Sequence, residues 1–578
     1  MSLEKKWILM PKCNTTVIQQ LAKDLSIDEV LANLLVQRGI TSFDEAHAFF
    51  RPRLENLHDP FLMKDMDKAV ERIGKAISYG ENIMIYGDYD VDGTTAVSLV
   101  YSFLKEIYPN VSYYIPDRYS EGYGISYQGI NIGIEQGVTL IIVLDCGIKA
   151  SEKIAYAKSR GIDFIVCDHH LPGEIIPDAV AVLDPKRPDC QYPFKDLSGC
   201  GVGFKMLQAF CTVNNIPHTN IYPLLDLLAV SIASDIVPVT GENRILAFYG
   251  LKQLNESPRK GLKAVIKLSG LEHHQIAIDD IVFKIGPRIN AAGRMESGRA
   301  AVDLLTSESE EAAMSFGQTI NVHNNDRKNI DRHITQEAFA MMEDNPDDIL
   351  NEKATILYNP NWHKGVIGIV ASRLIESYYR PTIVLTNSNG FITGSARSIP
   401  GFDLYQAIES CADLLENFGG HTYAAGLTLR EENLPEFHQR FEEIVAKNIT
   451  EDMMIPQVDI DSPLDFKQIT PKFFRILKQF QPFGPGNMSP VFFTKNVYDN
   501  GNGRAVGHDG GHLKLELIQE NEPYRPISAI AFNQSEYFEH LNGGNPVDIC
   551  YSIAENYYRG IANIQLRIKD IKLMDIIV

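Results

Sequence analysis

Short apolar runs separated by helix-like stretches fill residues 80–240. The runs contain few polar positions and are, in order, NIMIYG (82–87), VSYYIP (111–116), TLIIVLD (139–145), DFIVCD (163–168) and AVAVLDP (179–185). Stretches with helical character, such as 94–107 and 149–159, lie between them. Nearly continuous apolar strands alternating with helices predict an α/β domain whose parallel sheet is covered on both faces.

The pattern changes twice further along the chain. Residues 306–344 contain no proline and one glycine, with intermittent apolar positions, which predicts a long, partly exposed helix joining two domains. Beyond about residue 455, apolar runs at 512–517, 527–532, 547–555 and 564–574 alternate with Gly and Asn turns and predict a small β-barrel. The first 50 or so residues predict a small helical cap on the catalytic domain.

Composition narrows the class of protein. The 578 residues are 44% hydrophobic and 22% charged, as in ordinary globular proteins. No apolar stretch approaches the roughly 20 residues that span a bilayer, and the N-terminal apolar run is far shorter than a signal-peptide core, so we expect an untargeted cytoplasmic protein without a membrane partner. The eight cysteines form no CxxC pair, which favours reduced structural thiols. The net charge of −20 argues against a protein that coats polyanions over its whole surface.

Acidic residues gather where the predicted strands end. Ligands of open parallel sheets bind beyond the carboxyl ends of the strands, so these side chains should converge on one edge. Five or six carboxylates so close together repel one another unless cations lie between them, and carboxylates mixed with imidazoles suit manganese or magnesium. The residues concerned are Asp88, Asp90, Asp92, Asp145, Asp168 with its neighbours His169 and His170, and Asp235 at the end of an apolar helical run.

Two other interpretations fit some of these acids. A single aspartate at a strand end is usually a helix cap or a turn former. The segment GDYDVDG also places acids at alternate positions, as in a calcium-binding loop, but the twelfth position counted from Asp88 is Leu99 and not the required glutamate. Several acid-bearing strand ends together with adjacent histidines favour the metal site.

The ordered motifs GDYDVDG, LDCG, DHH and ASDIVP resemble those of the DHH phosphoesterase superfamily. The resemblance is closest to its bacterial single-strand-specific DNA exonucleases and runs from about residue 50 to the C-terminus. Further matching blocks are IPDRYSEGYG (115–124), GPRINAAGRM (286–295), GVIGIVASRL (365–374), GSARSIPGFDL (394–404) and GGHTYAAG (419–426). The last three resemble the DHHA1 domain of that superfamily.

The resemblance implies a fold and a set of domains. It implies a parallel-sheet DHH catalytic domain joined by a long helix to a DHHA1 α/β domain, followed by a C-terminal OB-type β-barrel. We therefore expect an N-terminal cap segment at 1–55, the DHH domain at 56–305, the connecting helix at 306–345, the DHHA1 domain at 346–452 and the OB-fold domain at 453–578. Tyr557, Tyr558 and Arg559 fall on one turn that suits stacking on bases, although a solvated hairpin tip is equally compatible.

The resemblance also implies roles for the acids and histidines around two Mn²⁺ or Mg²⁺ ions. Asp90 and Asp92 resemble paired ligands, Asp145 the bridging carboxylate and His169 the imidazole ligand, with Asp235 completing the shell of the second ion. His170 is expected to face the substrate phosphate and Asp168 to orient the site. Many superfamily members carry a metal-binding histidine where this chain has Tyr86, and Asp88 is the candidate for that role.

Basic residues on Gly-rich segments predict the substrate end. Arginine on such segments suits phosphate, because its fork binds bidentately and the glycines admit the backbone closely. Ser395 and Arg397 are predicted to lie on a turn and, by resemblance, to grip a 5′ phosphate together with Arg118. The DHH and DHHA1 domains are expected to flank a cleft that admits one strand. The remaining predicted substrate-binding residues are Arg288, Asn290, Arg294 and His421.

These features predict a metal-dependent 5′-to-3′ exonuclease that degrades single-stranded DNA to 5′-mononucleotides in repair and recombination. Two cations can activate water for in-line attack on phosphorus, and no Ser or Cys nucleophile is required. The alternative enzyme is a DHH phosphodiesterase acting on short oligonucleotides or cyclic dinucleotides, and a third possibility is a catalytically silent replication scaffold. The expected partners are single-stranded DNA, a single-strand-binding protein and a helicase, and the expected state is a monomer.

Overall fold

Two compact units make up the chain. The computed structural model describes residues 3–295, 297–344, 351–508, 510–520, 522–558 and 561–573. The parallel-sheet unit comprises Ala48–Arg327 and Phe480–Met488; the sheet-and-barrel unit comprises Met1–His47, Lys328–Gln479 and Ser489–Val578. Within the described ranges, no helix combines the length and hydropathy needed to cross a bilayer.

The N-terminal segment packs on the C-terminal barrel. It forms β1 (Lys6–Leu9), α1 (Thr15–Leu25), α2 (Glu29–Gln37) and α3 (Phe43–Phe50). β1 pairs in parallel with the strand Gln457–Ile460, and the Trp7 indole donates to Asp570 Oδ2 at 2.7 Å. The prediction of a cap on the catalytic domain is therefore wrong for residues up to His47. Local apolar spacing predicts helices here but cannot identify the surface that they cover.

The parallel sheet has the strand order β3-β2-β4-β5-β6. Its strands are β2 (Asn82–Gly87), β3 (Val111–Tyr114), β4 (Val138–Leu144), β5 (Asp163–Cys167) and β6 (Ala181–Leu183), all within two residues of the predicted bounds. The helices of the unit are α4 (Met66–Tyr79), α5 (Val91–Ile107), α6 (Tyr127–Glu135), α7 (Ser151–Ser159), α8 (Gly199–Val213), α9 (Leu225–Ser234), α10 (Gly241–Glu256), α11 (Lys260–Leu268), α12 (Ile278–Asp280), α13 (Gly286–Met295) and α14 (Arg299–Leu305).

Both faces of this sheet are buried, as the continuous apolar runs predict. Along β2, Ile83 and Ile85 enter one apolar cluster, whereas Met84 and Tyr86 enter the cluster on the opposite face. Because successive side chains of a strand alternate between faces, a strand covered by helices on both sides must be apolar at every position. All four side chains are at most 1% exposed.

A long helix, α15 (Glu310–Glu343), leads to a second sheet and contains the boundary between the two units. The second sheet has the order β10-β11-β9-β8-β7, in which only β7 and β8 pair in parallel. Its elements are β7 (Thr355–Tyr358), α16 (Ile367–Tyr378), β8 (Thr382–Ser388), β9 (Phe391–Arg397), α17 (Leu404–Glu409), β10 (Leu415–His421), β11 (Ala424–Leu429) and α18 (Leu434–Asn448).

The C-terminal strands form a closed five-stranded barrel, as predicted. Pairing runs β14-β18-β19-β17-β16 and returns from β16 to β14, so the sheet has no open edge at this point. The elements are β12 (Gln457–Ile460), β13 (Ser462–Pro463), α19 (Pro471–Lys478), β14 (Phe492–Asp499), β15 (Arg504–Val506), β16 (His512–Gln519), β17 (Glu522–Ala531), α20 (Phe538–Asn542), β18 (Val547–Tyr558) and β19 (Ile561–Leu573). The predicted stacking turn lies outside the described residues, because Arg559 and the side chains of Tyr557 and Tyr558 are not described.

The loop 480–488 belongs to the parallel-sheet unit, although it follows α19 in sequence. Its carbonyl at Pro485 accepts from Val239 N at 2.7 Å, and the Arg244 guanidinium donates to the carbonyls of Phe480 and Gln481. The loop therefore fixes the backbone that follows α9. The predicted domain bounds place this loop in the barrel domain; the bound at 345/346 falls among residues 345–350, which are not described.

Candidate metal centre

The carboxyl ends of β2, β4 and β5 lie on one edge of the parallel sheet, and each is followed by an aspartate. Asp145 comes directly after β4 and Asp168 directly after β5, while Asp88 is the first residue beyond β2. Asp145 N donates to Cys167 O at 2.9 Å, which extends the pairing of β4 with β5 to the aspartate itself. The parallel topology therefore brings these three carboxyls to the same edge, as the sequence predicts.

The N-terminus of α5 supplies two more carboxylates. Asp90 caps the helix and accepts from Gly93 N at 2.9 Å. Asp92, in the first turn, is 2% exposed. Its oxygens accept from Gly199 N at 2.7 Å, Cys200 N at 2.9 Å and the Ser231 hydroxyl at 2.7 Å. Three donors from α8 and α9 thus hold the Asp92 carboxylate in one orientation.

Asp145 is held in a left-handed backbone conformation with φ of 61°. Aspartate tolerates this region better than most residues, because its short side chain bonds locally. The start of α8 lies against it: a Cβ added at Gly199 would be 2.6 Å from both Asp145 Cβ and Oδ1. Only glycine at position 199 leaves room for this carboxylate.

Asp168 organises the two histidines rather than facing the other acids. Its Oδ2 accepts from Ile148 N at 2.9 Å, and its Oδ1 accepts from His169 N at 2.8 Å and lies 2.7 Å from His170 Nδ1. Burial alone would raise the pKa of Asp168, but these hydrogen bonds and the charge of His170 lower it to about 2. The same contact outweighs burial at His170 and raises its pKa to about 8.

His169 is the point on which the acids converge. Its Nε2 lies 3.2 Å from Asp145 Oδ1, 3.6 Å from Asp235 Oδ2 and 3.8 Å from Asp92 Oδ2. Neither ring nitrogen has a hydrogen-bond partner among the described residues, although the side chain is buried. Burial lowers the pKa of His169 and so favours the neutral imidazole, which is the form that binds metals.

Burial, together with charge repulsion, raises the pKa values of four carboxyls in the cluster. Burial, with the neighbouring charge of Asp90, raises the pKa of Asp88 to about 8. Burial and the charge of Asp92 raise the pKa of Asp90 and bring that of Asp235 to about 8. For the same two causes the pKa of Asp145 lies well above its usual range. A set of oxygen ligands with one or two imidazoles, several of them without polar partners, fits Mn²⁺ or Mg²⁺.

The closest ligand sets are smaller than the set that the sequence predicts. Ligand atoms of Asp92, His169 and Asp235 lie within 4.8 Å of one another, as do those of Asp145, His169 and His170. Asp88 and Asp90 belong to neither of these sets in the described part of the chain, although their charges act on the other acids.

Three separate matches to known protein families cover most of the chain. Residues 82–232 match the DHH family, N-terminal domain; residues 351–447 match the DHHA1 domain; and residues 460–570 match the RecJ OB domain. The chain is 37% identical over 555 residues to the single-stranded-DNA-specific exonuclease RecJ of Bacillus subtilis, an alignment that covers 96% of this chain and 69% of that protein. It is 33% identical to RecJ of Salmonella typhimurium over 94% of this chain and 95% of that one. The chain belongs to the RecJ family.

The fold agrees with a solved member of the RecJ family. The crystal structure of RecJ in complex with Mn²⁺ from Thermus thermophilus is similar to this chain with a TM-score of 0.84 and 25% identity, and the match covers 99% of this chain and 80% of that one. The three-domain organisation expected from the motifs is thereby confirmed.

Tyr86, at the position where the resemblance implies a metal-binding histidine, has a structural role in this chain. It is fully buried, and its hydroxyl donates to Gly124 O and accepts from Ser126 N, both at 3.1 Å. Asp88 lies beside it, with Oδ1 accepting from Gly124 N at 3.2 Å and Oδ2 without a polar partner among the described residues. Asp88 therefore offers a buried oxygen atom to a cation. This is what its predicted role requires, namely to replace the histidine that is missing at position 86.

The predicted DNA contacts of the parallel-sheet unit differ in their surroundings. Arg118 lies over the ring of Tyr89, with its Cζ 4.7 Å from the ring centroid. Tyr89 lies between Asp88 and Asp90 in sequence. Arg288 instead donates to Asn321 Oδ1 and to the carbonyls of Lys284 and Leu268, so its described contacts join α13 to its neighbours. Two other predicted contacts, Asn290 and Arg294, also lie on α13; Asn290 is half-buried with no described partner for its Oδ1, and the Arg294 carbonyl accepts from the Tyr119 hydroxyl.

Ser395 and Arg397 lie in β9, so the prediction of a turn is wrong. They nevertheless share one face, because residues two apart on a strand point the same way, and Arg397 Nη1 donates to the Ser395 hydroxyl at 3.0 Å. Across β11, Ala424 pairs with both Arg397 and His421, which places His421 on the same side of the sheet.

The sequence patterns do not identify the residues that hold the predicted ligands in position. Gly199 and Ser231 hold Asp145 and Asp92 in place, yet neither stands at a strand end and neither is a metal ligand. Tyr123 donates to the Asp145 carbonyl at 3.1 Å, and its hydroxyl lies 3.4 Å from His170 Nε2. Tyr123 could have been found from the sequence, because it lies in EGYG, the Gly-rich end of the matching block at 115–124.

We expect Ser231→Ala to weaken Mn²⁺ binding by about 10- to 100-fold, the usual effect of removing a polar group that orients a ligand. The substitution removes the only side-chain donor to Asp92 among the described residues. Calorimetric titration with Mn²⁺ measures the change. The control is Ser234→Ala, because Ser234 lies on the same helix and its buried hydroxyl has no described partner. Equal affinities of the two variants would contradict a role for Ser231 in holding Asp92.

Proposed function

We propose that this chain hydrolyses single-stranded DNA from the 5′ end to 5′-mononucleotides, using Mn²⁺ or Mg²⁺, in DNA repair and recombination. The observation that carries the proposal is the convergence of three carboxylates on the unpartnered His169 imidazole, in a chain that belongs to the RecJ family. The RecJ OB domain match supports a polymeric substrate over a dinucleotide, because such barrels bind extended single strands.

Two cations would be held by the acids and the imidazole of the centre. Asp92, Asp145, His169 and Asp235 are the principal ligands, with Asp88 and Asp90 beside them. The donor set fits, because Asp88 Oδ2 and both ring nitrogens of His169 are buried without hydrogen-bond partners within the described ranges. Such cations supply Lewis acidity, which activates water and neutralises charge on the phosphate.

The remaining residues of the centre position the substrate. Asp168 holds His170 through Nδ1, which leaves Nε2 directed at the Tyr123 hydroxyl on the accessible side. The His170 side chain is 35% exposed, whereas that of His169 is 7% exposed. A cationic, accessible imidazole next to a buried ligand suits contact with the scissile phosphate, and Asp168 acts as its positioning residue.

Incubation with end-labelled DNA tests the function. With Mn²⁺ present, a 3′-labelled single strand should shorten progressively, whereas a 5′-labelled one should release labelled mononucleotide at once. Blunt duplex and dinucleotides should be poor substrates, and EDTA should abolish the reaction until Mn²⁺ is restored. Preferential cleavage of dinucleotides would instead support the phosphodiesterase, and metal-independent cleavage would contradict the proposed centre.

Arg397 is proposed to recognise the terminal 5′ phosphate. Burial lowers the pKa of its guanidinium, and within the described residues no carboxylate pairs with it. A half-buried arginine that no carboxylate neutralises favours an anionic ligand. At Gly368, an added Cβ would lie 2.7 Å from Ser395 Oγ and 2.8 Å from Arg397 Nη2, so the start of α16 approaches this pair closely and a larger residue there would displace it.

We expect Arg397→Ala to weaken binding of 5′-phosphorylated strands about tenfold or more, equivalent to roughly 1.4 kcal/mol, and to affect 5′-hydroxyl strands far less. Fluorescence anisotropy at one fixed salt concentration measures both substrates. Arg430→Ala removes an exposed arginine paired with Glu416 in the same sheet and serves as the charge-matched control. Equal losses on both substrates would make Arg397 a general backbone contact.

The cellular setting follows from the same proposal. The chain is proposed to act as a monomer in the cytoplasm, where its eight cysteines, all unpaired, stay reduced. A helicase would supply the single strand and a single-strand-binding protein would present it.

A further inference from the structure

Ile236 has an unfavourable backbone conformation next to the metal centre. It follows Asp235, which caps the C-terminal end of α9, and its φ is 60°. Glycine or asparagine usually takes this position after a helix, because a side chain branched at Cβ collides with the backbone there. Apart from Tyr379, the other non-glycine residues described at positive φ are Ser, Asp and Asn, which tolerate it better.

Packing does not offset this conformation at Ile236. The side chain is 63% exposed. Tyr379 also has positive φ, but it packs against the apolar core of its domain. The Ile236 side chain is therefore apolar but mostly exposed, and its burial contributes little to the stability of the folded protein.

The backbone on both sides of Ile236 is fixed. Asp235 N donates to Ser231 O at 2.9 Å, and Val239 N donates to Pro485 O at 2.7 Å. Between them, Pro238 O accepts from the Asn243 amide at 3.0 Å. The left-handed turn is therefore imposed by the fold, and glycine would satisfy it with less strain than isoleucine.

Other exposed apolar side chains accompany the residues of the metal centre. Tyr123, 53% exposed, touches His170 through its hydroxyl, and Leu171, 59% exposed, follows His170 directly. Ile236 follows Asp235, whose Oδ2 lies 3.6 Å from His169 Nε2. Tyr123, Leu171 and Ile236 are thus three exposed side chains that contact a residue of the charged centre or directly follow one in sequence.

We propose that Ile236 packs against a nucleobase that flanks the scissile phosphate and so helps to position the strand. The inference rests on the proposed function and adds a positioning residue to it. A base exposes an apolar face whatever its identity, so the contact is independent of sequence. It also requires an unstacked base, which a single strand offers and a duplex does not.

The test compares Ile236→Gly with Ile236→Val and with Ser26→Gly. Ile236→Gly should raise the melting temperature by about 2–4 °C, because it relieves the left-handed residue, and should lower kcat/KM on single-stranded DNA about tenfold. Ile236→Val keeps a branched apolar side chain and should recover most of that loss. Ser26→Gly relieves a positive φ at the end of α1 and should leave kcat/KM unchanged.

A strand with abasic residues at its first two positions identifies the contact. On this strand the loss caused by Ile236→Gly should shrink to less than about threefold. Unchanged kcat/KM in Ile236→Gly, a lower melting temperature, or an equal loss on abasic DNA would each overturn the proposal. Strand binding, measured by anisotropy with Ca²⁺ in place of Mn²⁺, separates the contact from the proposed function. A wild-type protein that binds the strand in Ca²⁺ but does not hydrolyse it in Mn²⁺ contradicts that function, and the strand affinities of the Ile236 variants still decide the contact.

Discussion

Asp145→Asn should reduce hydrolysis of single-stranded DNA by at least about 10³-fold, equivalent to roughly 4 kcal/mol of transition-state stabilisation, while the fold persists. The Asp145 carboxylate is 3.2 Å from His169 Nε2, and the charges of Asp92, Asp90 and Asp235 act on it, so Asp145 would be a principal ligand of the proposed metal centre. Asparagine has the same shape and tolerates the φ of 61° at this position, whereas alanine would add backbone strain. Initial rates at saturating Mn²⁺ measure the effect.

Thermal unfolding distinguishes loss of metal from loss of fold in this variant. Without metal, Asp145→Asn should be at least as stable as the wild type, because it removes one of several mutually repelling charges. The stabilisation that Mn²⁺ gives the wild type should largely vanish. Asp178→Asn, at a side chain that is 82% exposed, is the charge-matched control and should behave as the wild type. Near wild-type turnover of Asp145→Asn would show that Asp145 is not part of the metal centre.

The parallel sheet could be predicted because its signal is local. Each strand is apolar at nearly every position, and each aspartate stands at a strand end where the chain must turn. Parallel pairing then places those ends on one edge without further information. The sequence alone therefore predicts that the acids following β2, β4 and β5 lie on one edge of the sheet.

The turn predicted at Ser395 and Arg397 shows where local reasoning fails. GSARSIPG contains the residues of a loop, but Gly394 lies inside β9, where an added Cβ would be 2.5 Å from Leu385 Cδ2. Glycine is needed there for close packing between neighbouring side chains and not for a turn. Nothing in the octapeptide itself distinguishes these two uses.

Long-range contacts were equally beyond the sequence patterns. Trp7 bonds to Asp570, more than 560 positions away, and the loop 480–488 joins a unit whose other residues end at Arg327. Both segments have ordinary composition, and their partners are set by the tertiary fold. The same holds for Gly199 and Ser231, which shape the metal centre from helix positions that match no ligand pattern.

Gly199→Ala should lower turnover by about 10²-fold or more, although it adds only one methyl group. That methyl would lie 2.6 Å from Asp145 Cβ and Oδ1 and 2.8 Å from Asp145 Cα, so either the aspartate or the start of α8 must move. A displacement of about 1 Å at a reacting centre is enough for such a loss. The Gly199 N–H that binds Asp92 remains, so the variant tests the position of Asp145 and not the loss of a donor.

Gly201→Ala is the matched control for that experiment. Gly201 lies in the same first turn of α8, but its added Cβ would meet only Leu197 and Ser198, at 3.4 Å, which is ordinary contact. Alanine favours a helix over glycine by about 1 kcal/mol, so Gly201→Ala should keep full turnover and match or exceed the wild-type melting temperature. Gly199→Ala should lose turnover and Mn²⁺ affinity together, because Asp145 can no longer occupy its place beside His169. Equal turnover in the two variants would mean that α8 yields to the methyl group without moving Asp145, and that this close approach does not set the geometry of the centre.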